Sequence, residues 1–166
     1  MEVVIEYCET ESRIQYRNSQ DIINAVTYVI DPKDTFEMVG VIGISLENYL
    51  DEIMMVKEAY NLSVDRQLVH IVVSSREFRF LDRNEMMNMA YRIGSFYGME
   101  HQVIFGIHPY RKGSHDQKDT HIHYIVNSVS YMNGKYLSPE AYQPRLFKRH
   151  VMNLYREYGL QEYYNI

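Results

Sequence analysis

The hydrophobic and polar positions along the chain predict an alternation of short strands and amphipathic helices. Apolar runs rich in β-branched residues predict strands at residues 2–7, 67–75, 101–108 and 120–131. Residues 38–45 are interrupted by glycines and are either a strand or a loose apolar segment. Apolar residues at helical spacing predict helices at residues 19–30, 46–60, 82–98 and, beginning at 138–139 or at Pro144, up to Gly159. The predicted order is β-α-β-α-β-α-β-β-α.

Local signals place several of the helix ends. Ser19 is the candidate N-cap of the first helix, which the Asp-Pro pair at 31–32 would stop. Asp82 followed three residues later by Glu85 is a capping-box pattern. The last two strands are joined by a polar loop, residues 109–119, so we expect them to pair in antiparallel orientation. These features predict an α+β fold with helices packed on an antiparallel central sheet.

The composition is that of one globular domain. The chain has 166 residues, of which 46% are hydrophobic, and we assign residues 1–166 to a single domain. It contains no run of about 18 apolar residues, so no membrane span is predicted. Its first residues lack the basic region and apolar stretch of a secretory signal, and its single cysteine, Cys8, cannot form an internal disulfide. These features predict a cytoplasmic protein.

The charge distribution limits the kind of partner. A net charge of −5 argues against a protein that coats duplex DNA. Basic residues nevertheless gather late in the chain, with Arg145, Lys148 and Arg149 on the predicted last helix. A local basic surface of this kind could follow the backbone of a single strand. The charge asymmetry therefore still allows a nucleic-acid partner for the C-terminal half.

Two histidines lie one residue apart at the start of the last predicted strand. His121 and His123 project from the same face, because a strand repeats every two residues. His108 ends the preceding strand, where antiparallel pairing would bring it beside them. Three imidazoles from adjacent strands suit a divalent metal ion and leave coordination positions for a substrate. The alternative interpretation is a solvent-exposed strand face that carries the pair without function.

Nearby polar residues extend the candidate site. His115, in the loop, could replace His108 as the third ligand. Asp116 and Asp119 could orient a ligand imidazole by hydrogen bonding, and Asn127, further along the same strand face, could support the ligands in the same way. A long polar loop beside a histidine strand is a common location for a functional site.

The other three histidines have different predicted roles. His70 lies in the middle of an apolar strand, where we expect a core residue with one satisfied hydrogen bond. His101 begins its strand and His150 lies on the last helix, and both are predicted to lie at the surface. The metal hypothesis therefore rests on the histidines of the last two strands.

Three segments resemble, in order and approximate spacing, the three motifs of plasmid-mobilisation relaxases, which belong to the HUH endonucleases. They are NAVTYVIDPKDT at 24–35, RQLVHIVVSSREF at 66–78 and GIHPYRKGSHDQKDTHIHYIVNSVSYMNGKYL at 106–137. The third is the most specific, because the His-x-His pair is followed by an Asn-Ser-Val run and by a Gly-Lys turn. It departs from the family where Asp119 stands two residues before the pair, a position at which relatives often have a histidine.

The resemblance implies an HUH-endonuclease-like fold and a strand-transfer activity. A tyrosine would cleave single-stranded DNA at the transfer origin of a plasmid or mobile element, leaving a 5′-phosphotyrosine and a free 3′-hydroxyl. His108, His121 and His123 would bind a divalent ion, Mn²⁺ or Mg²⁺ in the family, and imidazoles alone equally suit Zn²⁺ or Ni²⁺. The implied partners are this DNA strand and accessory mobilisation proteins.

Helical periodicity selects the candidate nucleophile. At about 100° per residue, Tyr28 points roughly 200° away from the middle of the apolar arc of the first helix, so it is free to face a substrate. Tyr155 falls at the edge of the apolar arc of the last helix and is predicted to pack against the core. Tyr16 is the reserve candidate for the nucleophile.

Two other functions remain open. A catalytically inactive DNA-binding or relaxosome module of the same fold would fit the acidic composition. A single-tyrosine HUH transposase would place its nucleophile on a helix after the His-x-His strand, where Tyr155 lies. The identity of the reacting tyrosine therefore separates the relaxase from the transposase.

Overall fold

An antiparallel sheet forms the centre of the molecule. The computed structural model describes residues 3–8, 16–110 and 119–165. In this part of the chain the strands are β1 (Val4–Tyr7), β2 (Val39–Ile42), β3 (Leu68–Ser74), β4 (Val103–His108) and β5 (His121–Asn127). They lie in the order β1-β3-β5-β4-β2, and each neighbouring pair is antiparallel. The predicted α+β class is confirmed, and β5 is the central strand.

Helices cover both faces of this sheet. They are α1 (Ser19–Ile30), the single turn α2 (Pro32–Thr35), α3 (Tyr49–Ala59), α4 (Arg83–Gly98) and α5 (Pro144–Glu157). Leu68, Ile104 and Ile125 point to one face and pack with α1 and α3. The alternate residues of the same strands, such as Phe105 and Tyr124, pack with α4 and α5 on the other face. The result is a three-layer arrangement with two hydrophobic cores.

Several element ends differ from the sequence prediction. Asn18, and not Ser19, caps α1, because the Asn18 side chain accepts from the backbone N–H of Asp21 at 3.0 Å. The predicted capping box of α4 is confirmed. The last α-helix begins at Pro144, whereas Pro139–Ala141 form a short 3₁₀ turn. β5 ends at Asn127, earlier than the predicted 120–131. After it, Val129 forms only an isolated bridge with Tyr136.

A glycine allows α1 to lie directly on β4. A Cβ atom built on Gly106 would lie 2.0 Å from the carbonyl oxygen of Val29 in the last turn of α1. Because only a hydrogen fits there, the helix can approach the strand closely. This contact places Tyr28 beside His108, which lies two residues further along the same face of β4.

No helix in the described part of the chain is both long and apolar enough to span a lipid bilayer.

Candidate active site

Three histidines meet where β4 ends and β5 begins. The antiparallel register places His108 directly opposite His121, and Gly106 opposite His123. One side-chain nitrogen from each of the three histidines lies within 4.8 Å of the others. His108 and His123 are buried, and His121 is partly exposed. Three imidazole nitrogens at this spacing, with one ligand near solvent, fit a divalent ion that keeps a position for substrate.

Each ring of this cluster is also held through one of its nitrogens. The contacts are His121 Nδ1 with the carbonyl oxygen of Asp119 at 2.7 Å, His108 Nε2 with that of Val29 at 3.2 Å, and His123 Nδ1 with His70 Nε2 at 2.9 Å. A metal would therefore bind through the opposite nitrogen of each ring. Asp119 orients His121 through its backbone carbonyl, and not through the carboxylate that the sequence suggested.

Tyr28 lies over the histidine cluster and faces solvent. Half of its surface is exposed, as the helical periodicity predicts. Its ring centre lies 5.7 Å from that of His108 and 5.2 Å from that of His123, edge-on in both cases. Tyr28 also lines a cavity of about 840 Å³ that has His121 and His123 in its wall. A substrate in this cavity would contact the tyrosine and the histidines together.

The cavity is acidic. It lies between α1 and the strands β1, β3 and β5, and the carboxylates of Glu6, Asp21 and Asp119 line it. Among the described residues that form its wall there is no lysine or arginine. A phosphate group would enter against this negative charge unless a cation were bound nearby. The histidine cluster is the part of the wall that could hold such a cation.

His70 connects the cluster to a second tyrosine. Its Nε2 lies 2.9 Å from Nδ1 of His123, and its Nδ1 lies 2.8 Å from the hydroxyl of Tyr16. Burial, and to a lesser extent the charge of His108, lowers the pKa of His70 to about 4, so its ring is neutral at neutral pH. The predicted core position is confirmed, but His70 has two polar side-chain partners instead of one.

Residues 28–160 match the protein family described as Relaxase: MobA/VirD2-like, nuclease domain. The chain belongs to this family. The match begins at Tyr28 and includes all three histidines of the cluster. It assigns to the relaxase domain a nuclease activity of the DNA-nicking type. A search among curated proteins finds no match to the chain.

Tyr155 lies in the opposite layer of the relaxase domain from the histidines. It is fully buried in the core formed with α4 and α5, and burial raises its pKa to about 12. Its predicted packing role agrees with this position. Tyr16, the reserve candidate, is also buried but lines the cavity beside His70. Of the three tyrosines considered, only Tyr28 is exposed next to the cluster.

The predicted DNA-binding residues are exposed, but on the other side of the sheet. Arg145, Lys148 and Arg149 project from α5, whose buried side chains pack on the face opposite the histidines. Periodicity shows which side of a helix is buried but not which face of a sheet it covers. DNA bound to these residues would therefore contact the relaxase domain outside the cavity.

Asn127 is not a neighbour of the histidine cluster. It ends β5, at the opposite end from His121, where its Oδ1 accepts from Nζ of Lys57 at 2.7 Å and its Nδ2 donates to Oε1 of Gln102 at 2.9 Å. The predicted surface position of His101 is wrong, because this ring is buried and its Nδ1 donates to the Asn127 carbonyl at 2.8 Å. The role expected for Asn127 is therefore replaced by one in a buried polar network.

Three further predicted residues lie away from the cluster or outside the described part of the chain. His150 is partly exposed, and its Nε2 donates to the carbonyl of Arg92 at 2.8 Å. His115 and Asp116 lie outside the described residues. The sequence did not show the contact between His70 and His123, which lie on the same face of the paired strands β3 and β5, where His70 is opposite Ile125.

Proposed function

We propose that Tyr28 nicks single-stranded DNA at the transfer origin of a plasmid or mobile element and becomes covalently joined to it. Its hydroxyl oxygen attacks the phosphorus, and the bond from phosphorus to the 3′-oxygen breaks. The tyrosine loses its proton, and the departing oxygen gains one to become a 3′-hydroxyl. A 5′-phosphotyrosine is left, and the reverse attack by a 3′-hydroxyl would rejoin the strand.

The position of Tyr28 is the observation that carries this proposal. The ring is half exposed and lies against the rings of His108 and His123. A tyrosine hydroxyl, with an ordinary pKa near 10, is a weak nucleophile and reacts only where it is positioned and its developing charge is stabilised. A divalent ion, Mn²⁺ or Mg²⁺ by family resemblance, held by His108, His121 and His123 would withdraw charge from the scissile phosphate.

The test of the nucleophile is the covalent protein–DNA adduct. The wild-type protein, incubated with Mn²⁺ and an oligonucleotide of its own element's transfer origin, should form an adduct that survives denaturing electrophoresis. Tyr28→Phe should abolish the adduct, because only the hydroxyl is removed. Tyr91→Phe is the matched control, since Tyr91 is a tyrosine on α4 that is 40% exposed, against 50% for Tyr28. An adduct that survives in Tyr28→Phe and disappears in Tyr155→Phe would assign a transposase instead.

The test of the metal site is a binding titration. Calorimetric titration of Mn²⁺ should show one site in the wild type and loss of that site in the His121→Ala, His123→Ala double variant. His150→Ala provides the control, because this histidine lies on α5 in the other layer. Equal Mn²⁺ affinity in the double variant and the wild type would exclude the cluster as the metal site.

A non-catalytic DNA-binding module is the second candidate, and the acidic cavity is the observation that favours it. In that case the protein would bind the transfer-origin strand and leave it intact in the presence of Mn²⁺. A cytoplasmic location and accessory mobilisation proteins as partners stay predictions from the sequence.

A further inference from the structure

We infer that His70 and Tyr16 are positioning residues for the proposed metal ligand His123. The three side chains form a chain of hydrogen bonds, and His123 can bind a metal only when the donors in this chain point from His123 through His70 to Tyr16. The inference rests on the proposed metal site and concerns how that site is held in a binding-competent state. It assigns a role to two residues from outside the histidine cluster.

The chain consists of three buried side chains in a row. Tyr16, His70 and His123 are 4%, 6% and 5% exposed. The hydroxyl of Tyr16 lies 2.8 Å from Nδ1 of His70, and Nε2 of His70 lies 2.9 Å from Nδ1 of His123. Both distances are those of ordinary hydrogen bonds. Each ring nitrogen in the chain is thus either a donor to its neighbour or an acceptor from it.

A neutral imidazole has one N–H donor and one acceptor nitrogen, so the chain has only two self-consistent directions. In the first, Nδ1–H of His123 donates to Nε2 of His70, and Nδ1–H of His70 donates to the oxygen of Tyr16. In the second, the hydroxyl of Tyr16 donates to Nδ1 of His70, and Nε2–H of His70 donates to Nδ1 of His123. The second direction puts the proton of His123 on Nε2.

Only the first direction is compatible with a metal. Nδ1 of His123 contacts His70, so the metal would bind at Nε2, which must carry no proton. Tyr16 can end the chain in either direction, because a hydroxyl both donates and accepts. Metal binding therefore selects one of two hydrogen-bond directions, and His70 and Tyr16 stabilise the selected one.

The effect of removing each residue follows from this direction. Tyr16→Phe deletes the acceptor of a buried N–H in the metal-bound state, and unsatisfied N–H groups are disfavoured more than unsatisfied acceptors. A loss of roughly 2- to 10-fold in Mn²⁺ affinity is expected, the size of one hydrogen bond. His70→Phe keeps a ring but removes the acceptor for His123 itself, and roughly 10- to 100-fold is expected for a supporting residue of this kind.

The first measurement is the Mn²⁺ affinity of these variants, with thermal unfolding of each variant without metal. Tyr124→Phe is the matched control, because it also deletes a buried hydroxyl, one that donates to the Ala90 carbonyl at 2.9 Å from the other face of β5. The inference requires weaker binding in Tyr16→Phe than in Tyr124→Phe. Equal Mn²⁺ affinity in wild type and Tyr16→Phe would overturn it, whatever the variant does to the melting temperature.

The second measurement is the tautomer of each histidine in the wild-type protein, and it does not depend on any variant folding. Imidazole ¹⁵N chemical shifts with Zn²⁺ bound should show His70 and His123 both protonated at Nδ1. A proton at Nε2 of His70 in the Zn²⁺ form would overturn the inference and leave the metal site itself intact. A wild type that binds neither Mn²⁺ nor Zn²⁺ would overturn both the inference and the proposed metal site.

Discussion

Replacing Lys57 by methionine should make the protein more stable at neutral pH. This lysine lies on α3 and is only 3% exposed. Its Nζ donates to Oδ1 of Asn127 at 2.7 Å, and none of the ion pairs found among the described residues includes it. Burial lowers the pKa of Lys57 from 10.5 to about 8. At pH 7 the folded protein therefore contains a buried cation without a carboxylate partner among the described residues.

The size and sign of the effect follow from this pKa. A change from 10.5 to about 8 corresponds to about 3 kcal/mol of unfolding free energy, at about 1.4 kcal/mol per pH unit. The unfolded chain keeps the proton up to higher pH, so stability rises between pH 8 and pH 10.5, and the full cost is present below pH 8. Methionine removes this cost but also one hydrogen bond to Asn127, worth about 1 kcal/mol, so the net gain at pH 7 is about 2 kcal/mol.

Urea unfolding of the wild type and of Lys57→Met between pH 7 and pH 10 measures this effect. The difference in unfolding free energy between the two proteins should favour the variant at pH 7 and decrease steadily above pH 8. Other titrating groups cancel in this difference because both proteins contain them. Lys33→Met, which removes an exposed lysine, controls for the loss of one charge. A difference that stays constant from pH 7 to pH 10 would refute the reasoning.

Three further outcomes are expected. Gly106→Ala should lower the unfolding free energy by about 1–3 kcal/mol in urea titrations, because its Cβ would meet the carbonyl of Val29; an unchanged midpoint would contradict the close packing of α1. Replacing the three basic residues of α5 by alanine should reduce the salt dependence of single-strand binding, measured by fluorescence anisotropy, by about 0.7 in slope per lost phosphate contact. Tyr155→Phe should leave the adduct yield in gel assays unchanged, since Tyr155 lies in the far layer.

Much of the fold could be predicted from local patterns. The β-branched runs that became β3 and β4 and the capping box of α4 are signals read within a few residues. The strand order β1-β3-β5-β4-β2 could not be predicted, because pairing between segments far apart in the sequence depends on tertiary contacts. For the same reason the sequence did not show which face of the sheet α5 covers, and this determines where its basic residues lie.

In the candidate site, too, local patterns predicted some of the residues and long-range strand pairing determined the others. Strand periodicity predicts that His121 and His123 share a face, and the pairing of consecutive strands brings His108 beside them. Helix periodicity predicts the exposure of Tyr28. The contact between His70 and His123 requires β3 to pair with β5, which no local pattern indicates. His101 was misplaced because the group that its ring contacts, the carbonyl of Asn127 at the end of β5, lies 26 residues away in the sequence.

The location of the site in the sheet would link occupancy of the proposed metal site to cooperative unfolding. His70, His123 and His108 come from β3, β5 and β4, the three inner strands, whereas β1 and β2 form the edges. Fraying of an edge strand would leave the imidazoles in register, but opening of β5 would separate them. A metal whose free concentration is 100 times its dissociation constant would therefore add about 2.7 kcal/mol to the free energy of global unfolding. Amide hydrogen exchange should accordingly slow in the inner strands and change little in the outer two.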